Sequence, residues 1–327
     1  MISTFLFLII LTIQVFAQQI TKPAEPFAHT FSIVARDPNT GEIGVAVQSH
    51  WFSVGSIVSW AEAGVGAVAT QSFVNVSFGS RGLDLLKQGK SPQDALDELL
   101  STDEGREFRQ VAIIDKDGRA AAYTGKLCIK DASHIVGKNF SVQANMMVND
   151  KVVPAMAEAF KNRKGELAER MVAALRAAQN AGGDIRGQQS AAILVVKGES
   201  TGKEWENKLI DLRVEDNENA VAEIERLLKV FRAYEHMNAG DLAIERGDEA
   251  KALYEYQSAG EMFPEHLEIK YWFAVSLVNI GKIEDALPKF KYIFEQDKNW
   301  VELTKRIVEN GLLKVDERTL DLIINIR

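Results

Sequence analysis

Thr30 and Ser32 stand two residues apart at the start of an apolar, strand-like run, and Gln48, Ser49 and His50 close the next such run. Alternate residues of a strand share a face, so the two hydroxyls of the first run point to one side. A hydroxyl with a base beside it is the starting point for nucleophilic acyl transfer, the base taking the proton as the oxygen attacks a carbonyl carbon. On this reading Thr30 is the candidate nucleophile, Ser32 a supporting hydroxyl and His50 a proton shuttle. The plainer alternatives are a β-branched residue opening a strand and a pocket-lining imidazole.

Further polar residues sit where strands are expected to end. Gln71, Ser72 and Asn75 lie between a strand and a helix, where backbone N–H groups and an amide side chain can form an oxyanion site. Asn145 is a second possible donor. Glu62 precedes a glycine turn and either orients the site or caps it. Asp184 and Arg186 either hold each other or leave the guanidinium to grip a substrate carboxylate. No metal, nucleotide or dinucleotide motif occurs, so no cofactor and no metal is expected. The single cysteine, Cys128, reads as a buried, inert thiol.

The elements that must position these residues follow from periodicity. Phe31 to Ala35 and Ile43 to Val47 are apolar runs joined by Asp37-Pro-Asn-Thr-Gly-Glu42, a set of turn formers, and predict a hairpin with Thr30 at its entrance. Gly64 to Gln71 reads as a buried strand. Helical spacing then predicts a pair over Ser80–Lys87 and from Ser91, with Ser91 as N-cap and Pro92 in the first turn. Gln110–Ile114 and Arg119–Thr124 flank an Asp-Gly turn, a second hairpin. Ser141–Met147 is a strand, Val152–Arg163 and Glu166–Asn180 a second helix pair, and Ser190–Val196 and Lys208–Val214 the last strands. Strands, helix pair, strands, helix pair, strands is the order of an α+β fold, a four-layer αββα sandwich of antiparallel sheets between helices.

Beyond about residue 220 the pattern is helix only. Ala243 and Leu277, Gly247 and Gly281, Ala252 and Ala286, Leu253 and Leu287, and Tyr256 and Phe290 align at one constant offset of 34 residues. That period is the signature of tetratricopeptide (TPR) repeats, stacked helix pairs that bind proteins. The expected organisation is thus a sandwich domain over 30–215 and an all-α TPR-like domain over 221–327.

Residues 1–17 form an uncharged apolar run ending at Val15-Phe-Ala17, shorter than the roughly 20 residues of a spanning helix. It reads as a signal peptide, with residues 18–29 as a leader or spacer, and predicts an exported protein, periplasmic or secreted. The net charge of −8 and the lack of a basic cluster make nucleic acid an unexpected partner.

From Thr30 to Val214 the chain resembles the DUF1028 family, which is placed with the N-terminal nucleophile (Ntn) hydrolases. The motifs that carry the resemblance are Thr30-Phe-Ser-Ile-Val-Ala-Arg-Asp37, Gly44-Val-Ala-Val-Gln-Ser49, the run from Trp60 to Gln71, and Gly183-Asp-Ile-Arg-Gly-Gln-Gln-Ser190. The resemblance implies a proteasome-like αββα sandwich in which Thr30 becomes the first residue of the mature chain and attacks an amide carbonyl. Its own α-amine, titrating near pH 7.7–8.0, would be the base. It also implies a pocket residue positioning the nucleophile near Ser49 and His50. The lysine that the proteasome branch places beside its threonine is missing, since none occurs between Thr30 and Lys87, and the Gln-Gly-Asn of the family reads Gln143-Ala144-Asn145 here. Two expectations follow: an amide hydrolase with a peptide or cell-wall-derived substrate, docking a protein partner or a second copy through its repeats, or a non-catalytic binding protein in which Thr30 stays internal.

Overall fold

The protein is described by a computed structural model covering residues 26–326. The expected signal peptide and residues 18–25 of the leader lie outside the described residues. The chain forms two compact units, the first ending at Glu225 and the second beginning at Arg226.

The first unit is mixed α and β with antiparallel sheets. Its elements begin with β1 (Phe27–Ala28), β2 (Thr30–Arg36), β3 (Ile43–Ser49), the short helix α1 (Gly55–Val58), β4 (Ser59–Glu62) and β5 (Gly66–Phe73). A helix pair follows, α2 (Ser77–Lys87) and α3 (Pro92–Ser101), then β6 (Arg109–Asp115), β7 (Ala120–Thr124), β8 (Ser133–Gly137) and β9 (Phe140–Ala144). A second helix pair, α4 (Val152–Asn162) and α5 (Leu167–Asn180), precedes β10 (Ser190–Val196), α6 (Glu204–Asn207) and β11 (Lys208–Val214).

One sheet has the order β1-β5-β6-β7, with β4 also on β5; the other runs β11-β10-β3-β2-β9-β8. The β2–β3 hairpin is at the centre of the second sheet, pairing Thr30 with Ser49 and Arg36 with Ile43. The sheets face each other, α2 and α3 cover the outer face of the first, and α4 and α5 that of the second.

Local sequence explains the helix boundaries. Ser91 Oγ accepts from the Asp94 N–H at 3.2 Å, and Pro92 occupies the first turn, where its missing N–H costs nothing. Ala95, Leu96, Leu99 and Leu100 then share one buried face, and each leucine withdrawn from water contributes about 2 kcal/mol. Helix α5 is stopped by Gly182 and Gly183, whose positive φ values of 124° and 64° glycine adopts without the cost of a Cβ.

The space between the sheets changes character along its length. Val34, Val45, Val47, Ala69, Ala112 and Ile114 pack an apolar half. Toward the Thr30 end the inward positions of β2, β5 and β6 become Ser32, Gln71 and Gln110, joined by Gln143 of β9, all fully buried. Residues 26–29, read as a spacer from sequence, are part of this fold: β1 pairs Phe27 with Phe73 and Ala28 with Ser72, and the Val74 N–H donates to the Pro26 carbonyl at 2.9 Å. Two prolines upstream and a two-residue strand left no periodicity to detect. Strands β4 and β8 were likewise invisible, being short and half-exposed.

The second unit is helical. Helix α7 (Ala220–Glu245) begins in the first unit and continues into the second, where α8 (Glu249–Met262), α9 (Leu267–Asn279), α10 (Ile283–Gln296), α11 (Asn299–Glu309) and α12 (Glu317–Ile324) follow. Positions 34 apart occupy equivalent places: Gly247 and Gly281 end helices at φ 72° and 79°, and Ala252 and Ala286, like Tyr256 and Phe290, are buried one helix later.

Candidate active site at the crossing between the sheets

His29 is the single residue between β1, in one sheet, and β2, in the other. The chain therefore crosses from sheet to sheet at the His29–Thr30 peptide, and that crossing is buried: His29 is 2% exposed and Thr30 not at all.

The His29 carbonyl accepts two hydrogen bonds. Ser49 Oγ donates at 2.6 Å, from the position directly opposite Thr30 on β3. Arg186 Nη2 donates at 2.9 Å. Arg186 is held by Asp184, whose Oδ1 accepts from Arg186 Nε at 3.0 Å and whose Oδ2 accepts from Nη2 at 2.7 Å. Asp184 is buried and tied to the exit of β9 by a bridge to Met147. A hydroxyl and a guanidinium on one carbonyl oxygen withdraw electron density from its carbon and would stabilise negative charge developing on that oxygen.

Thr30 Oγ1 donates to the Ala28 carbonyl at 2.6 Å, across the same peptide bond. The Thr30 carbonyl accepts from the Asn145 N–H at 3.1 Å and from Gln71 Nε2 at 3.3 Å. His29 Nδ1 meets Asn145 Oδ1 at 2.7 Å. Since Asn145 Nδ2 donates to Gln110 Oε1 at 2.9 Å, Asn145 Oδ1 is the acceptor and the imidazole carries its proton on Nδ1. Burial pushes the His29 pKa below the ordinary 6.5, which leaves a neutral ring at neutral pH. Its edge meets the Phe73 ring at 5.8 Å.

Beneath the crossing lies an uncharged amide network. Gln110 Oε1 accepts from Gln71 Nε2 at 2.7 Å and from Asn145, while its Nε2 donates to Thr124 Oγ1 and to the Ala144 carbonyl, each at 2.9 Å. Ser32 Oγ donates to Gln71 Oε1 at 2.5 Å and accepts from Gln143 Nε2 at 2.6 Å. Thr124 Oγ1, which accepts from Gln110, also shares a hydrogen bond with His134 Nδ1 at 2.8 Å. Burial lowers the His134 pKa, which favours the uncharged ring. Amides satisfy one another here without charge, which avoids burying an ion.

Backbone strain gathers at the same end. Of five non-glycine residues with positive φ among the described residues, Ser53, Ser72, Asp131 and Met146 fall in or beside the loops around the crossing. Ser72, at φ 72°, pairs with Ala28. Such conformations cost about 1–3 kcal/mol each and gather where function over-determines the backbone.

The sequence candidates separate cleanly. Thr30, Ser49, Asn145, Gln71, Asp184 and Arg186 come together around one peptide bond. Ser32 belongs to the amide network, its proton committed to Gln71. His50 borders Gly187, with an enclosed Nδ1 that has no hydrogen-bond partner and no bond to Thr30. Asn75 caps α2, its Oδ1 accepting from the Ser77 N–H at 3.2 Å. Glu62 pairs with Lys87 at 2.8 Å and faces Gly66, at the opposite end of β5 from Ser72. Gln110, Gln143 and His29 were not singled out from sequence. For Gln110 and Gln143 the one signal is polarity at the inward positions of buried strands; His29, between two strands, carries none. Cys128 is half-buried, donates to the Arg109 carbonyl at 3.3 Å, and has its thiol pKa raised by burial. Among the described residues there is no cluster of metal-ligating side chains, and no helix is long and apolar enough to cross a membrane.

No curated protein matches the chain. A crystal structure of a protein from Silicibacter pomeroyi, described as a DUF1028 family member, is similar: 32% identical, with a TM-score of 0.57, over 62% of this chain and 85% of that one. The sequence profile of DUF1028, described as a family of unknown function, matches residues 30–224. That span is more than half of the chain and holds every residue of the crossing downstream of His29, so the protein belongs to the DUF1028 family.

Proposed function

We propose that this chain is an exported amide-bond hydrolase of the N-terminal-nucleophile type, acting on a peptide or cell-wall-derived amide, with Thr30 as nucleophile after a cut between His29 and Thr30. One observation carries the reading. The acyl oxygen of the bond to be cut accepts from both Ser49 and Arg186, and the hydroxyl of the residue on the other side of that bond is Thr30 Oγ1. Attack by Oγ1 on the His29 carbon would place negative charge on an oxygen that already has two donors. The cut would then free the Thr30 α-amine, which near neutrality serves as a base for the adjacent hydroxyl.

The layering supports the same reading, since two facing antiparallel sheets between two helix pairs is the arrangement of an Ntn sandwich. The 34-residue equivalence of the helical unit supports TPR-like repeats that dock a protein partner or a second copy of the chain.

A second reading, a non-catalytic binding protein, is favoured by the engagement of Thr30 Oγ1 with the Ala28 carbonyl in an unbroken, buried strand connection. Intact mass and amino-terminal sequencing of the protein and of Thr30→Ala decide between them. A chain beginning at Thr30, with the variant retaining its leader, is the expected result; a wild-type chain that keeps His29 overturns the hydrolase reading.

A further inference from the structure

The residues just before Thr30 occupy a groove that is shaped for them, and the cut changes what that groove can hold. Strand β4 covers β5 from Gly66 to Ala69, and β1 covers Ser72 and Phe73 on the same edge. Removing residues 26–29 would expose that half of the edge, with unpaired backbone groups ready to accept an antiparallel strand.

The side-chain positions along the groove are defined. Ala28 is fully buried in the core between the sheets, so the penultimate position admits only a small side chain. The last position is a closed slot for a flat polar ring, with Asn145 Oδ1 at 2.7 Å and the Phe73 ring at 5.8 Å. Burial favours the neutral form of that ring.

Hydrolysis of the His29–Thr30 amide breaks the C–N bond and adds water across it. The acyl carbon becomes a carboxylate, and the nitrogen, taking the proton, becomes the Thr30 α-ammonium. The new carboxylate would face the Ser49 hydroxyl, the Arg186 guanidinium and that ammonium. Because Asp184 and Arg186 already balance each other, the cut adds one negative and one positive charge side by side.

We infer that this groove is a binding site for the carboxyl-terminal end of an extended peptide with a small penultimate residue and a neutral, hydrogen-bonding last side chain, and that the severed leader is its first occupant. The inference rests on the proposed cut. It makes the freshly processed protein self-blocked until the leader dissociates, and it defines the acyl-side product class of the enzyme.

The test uses the full chain as purified, its cut state read by denaturing mass spectrometry, and fluorescein-labelled Pro-Phe-Ala-His followed by fluorescence anisotropy. The free acid is compared with the carboxy-terminal amide and with Pro-Phe-Leu-His as the free acid. The expected result is a cut chain that binds the free acid at least tenfold more tightly than either comparison peptide. A cut chain that native mass spectrometry shows to have released its leader and that binds none of the peptides, or that fails to discriminate in either comparison, overturns the inference and leaves the hydrolase reading standing. An uncut chain overturns both.

Discussion

Thr30 and Ser49 face each other across β2 and β3, and the Ser49 hydroxyl reaches the carbonyl of the residue before Thr30 at 2.6 Å. A serine at that register position is a side chain of the right length to serve a neighbour's backbone rather than its own. If the carbonyl is the one attacked, Ser49→Ala should slow the appearance of a Thr30 amino terminus by about 10²-fold, the usual effect of losing one oxyanion donor. Time-resolved intact mass after synthesis measures this. Cleavage at the wild-type rate would remove Ser49 from the mechanism.

Asp184 is buried while Arg186 keeps about a quarter of its side chain in solvent, the two making a bidentate pair. Asp184→Asn should weaken the grip on the guanidinium and lower unfolding stability by about 1–3 kcal/mol, the upper range for buried pairs being discounted for the exposure of Arg186. Urea unfolding reads the loss. The same variant should slow processing, because Arg186 would no longer be fixed on the His29 carbonyl.

Gln110 is the hub of the amide network, its oxygen accepting from Gln71 and Asn145 and its nitrogen donating to Thr124 Oγ1 and to the Ser133 and Ala144 carbonyls. Gln110→Leu fills similar space but leaves the Gln71 and Asn145 amides without that acceptor. Each buried amide so stranded costs about 1–3 kcal/mol, so a total of about 2–6 kcal/mol is expected in urea unfolding. An unchanged midpoint would mean that the network relaxes onto other partners.

His134 has its pKa lowered below 6.5 by burial, and its Nδ1 shares a hydrogen bond with Thr124 Oγ1. Below pH 6.5 the unfolded chain takes up a proton that the folded one resists, so the unfolded state binds more protons and stability falls as pH falls. Above pH 6.5 the contribution is fully present. His134→Gln should flatten the stability slope below about pH 6.5, measured as the urea midpoint against pH; an equally steep slope in the variant would assign the effect elsewhere.

Gly247 and Gly281 end helices 34 residues apart, both in the left-handed region and both with open space where a Cβ would go. Alanine at either should therefore cost only the backbone conformation, about 1 kcal/mol. Thermal unfolding should show losses of similar size for the two variants, as structurally equivalent positions require.

Much of this was legible in the sequence because local physics is written locally. The hairpin of Phe31 and Ile43, the Ser91-Pro92 helix start, the Asp-Gly turn after Asp115, the Gly182–Gly183 stop and the 34-residue period each depend on a few adjacent residues and their spacing. Thr30, Ser49 and Asn145 were identifiable as polar residues on or beside strands, and Asp184 and Arg186 as a charged pair in the loop before β10. Which of them meet is a different question, since Asn75 and Glu62 looked equally suitable and cap a helix or pair with a distant lysine instead.

Only tertiary structure joined Ser49 and Arg186 on one carbonyl, 137 positions apart along the chain. It also turned a featureless leader into a strand, because β1 has no periodicity of its own and exists by borrowing the free edge of β5. The amide network is the same case: Gln71, Gln110 and Gln143 are ordinary polar residues in sequence, and only the facing of the two sheets makes them partners that satisfy each other without charge. Spacing along the chain determined which residues turn inward, and the packing of one sheet on the other decided which of those residues touch.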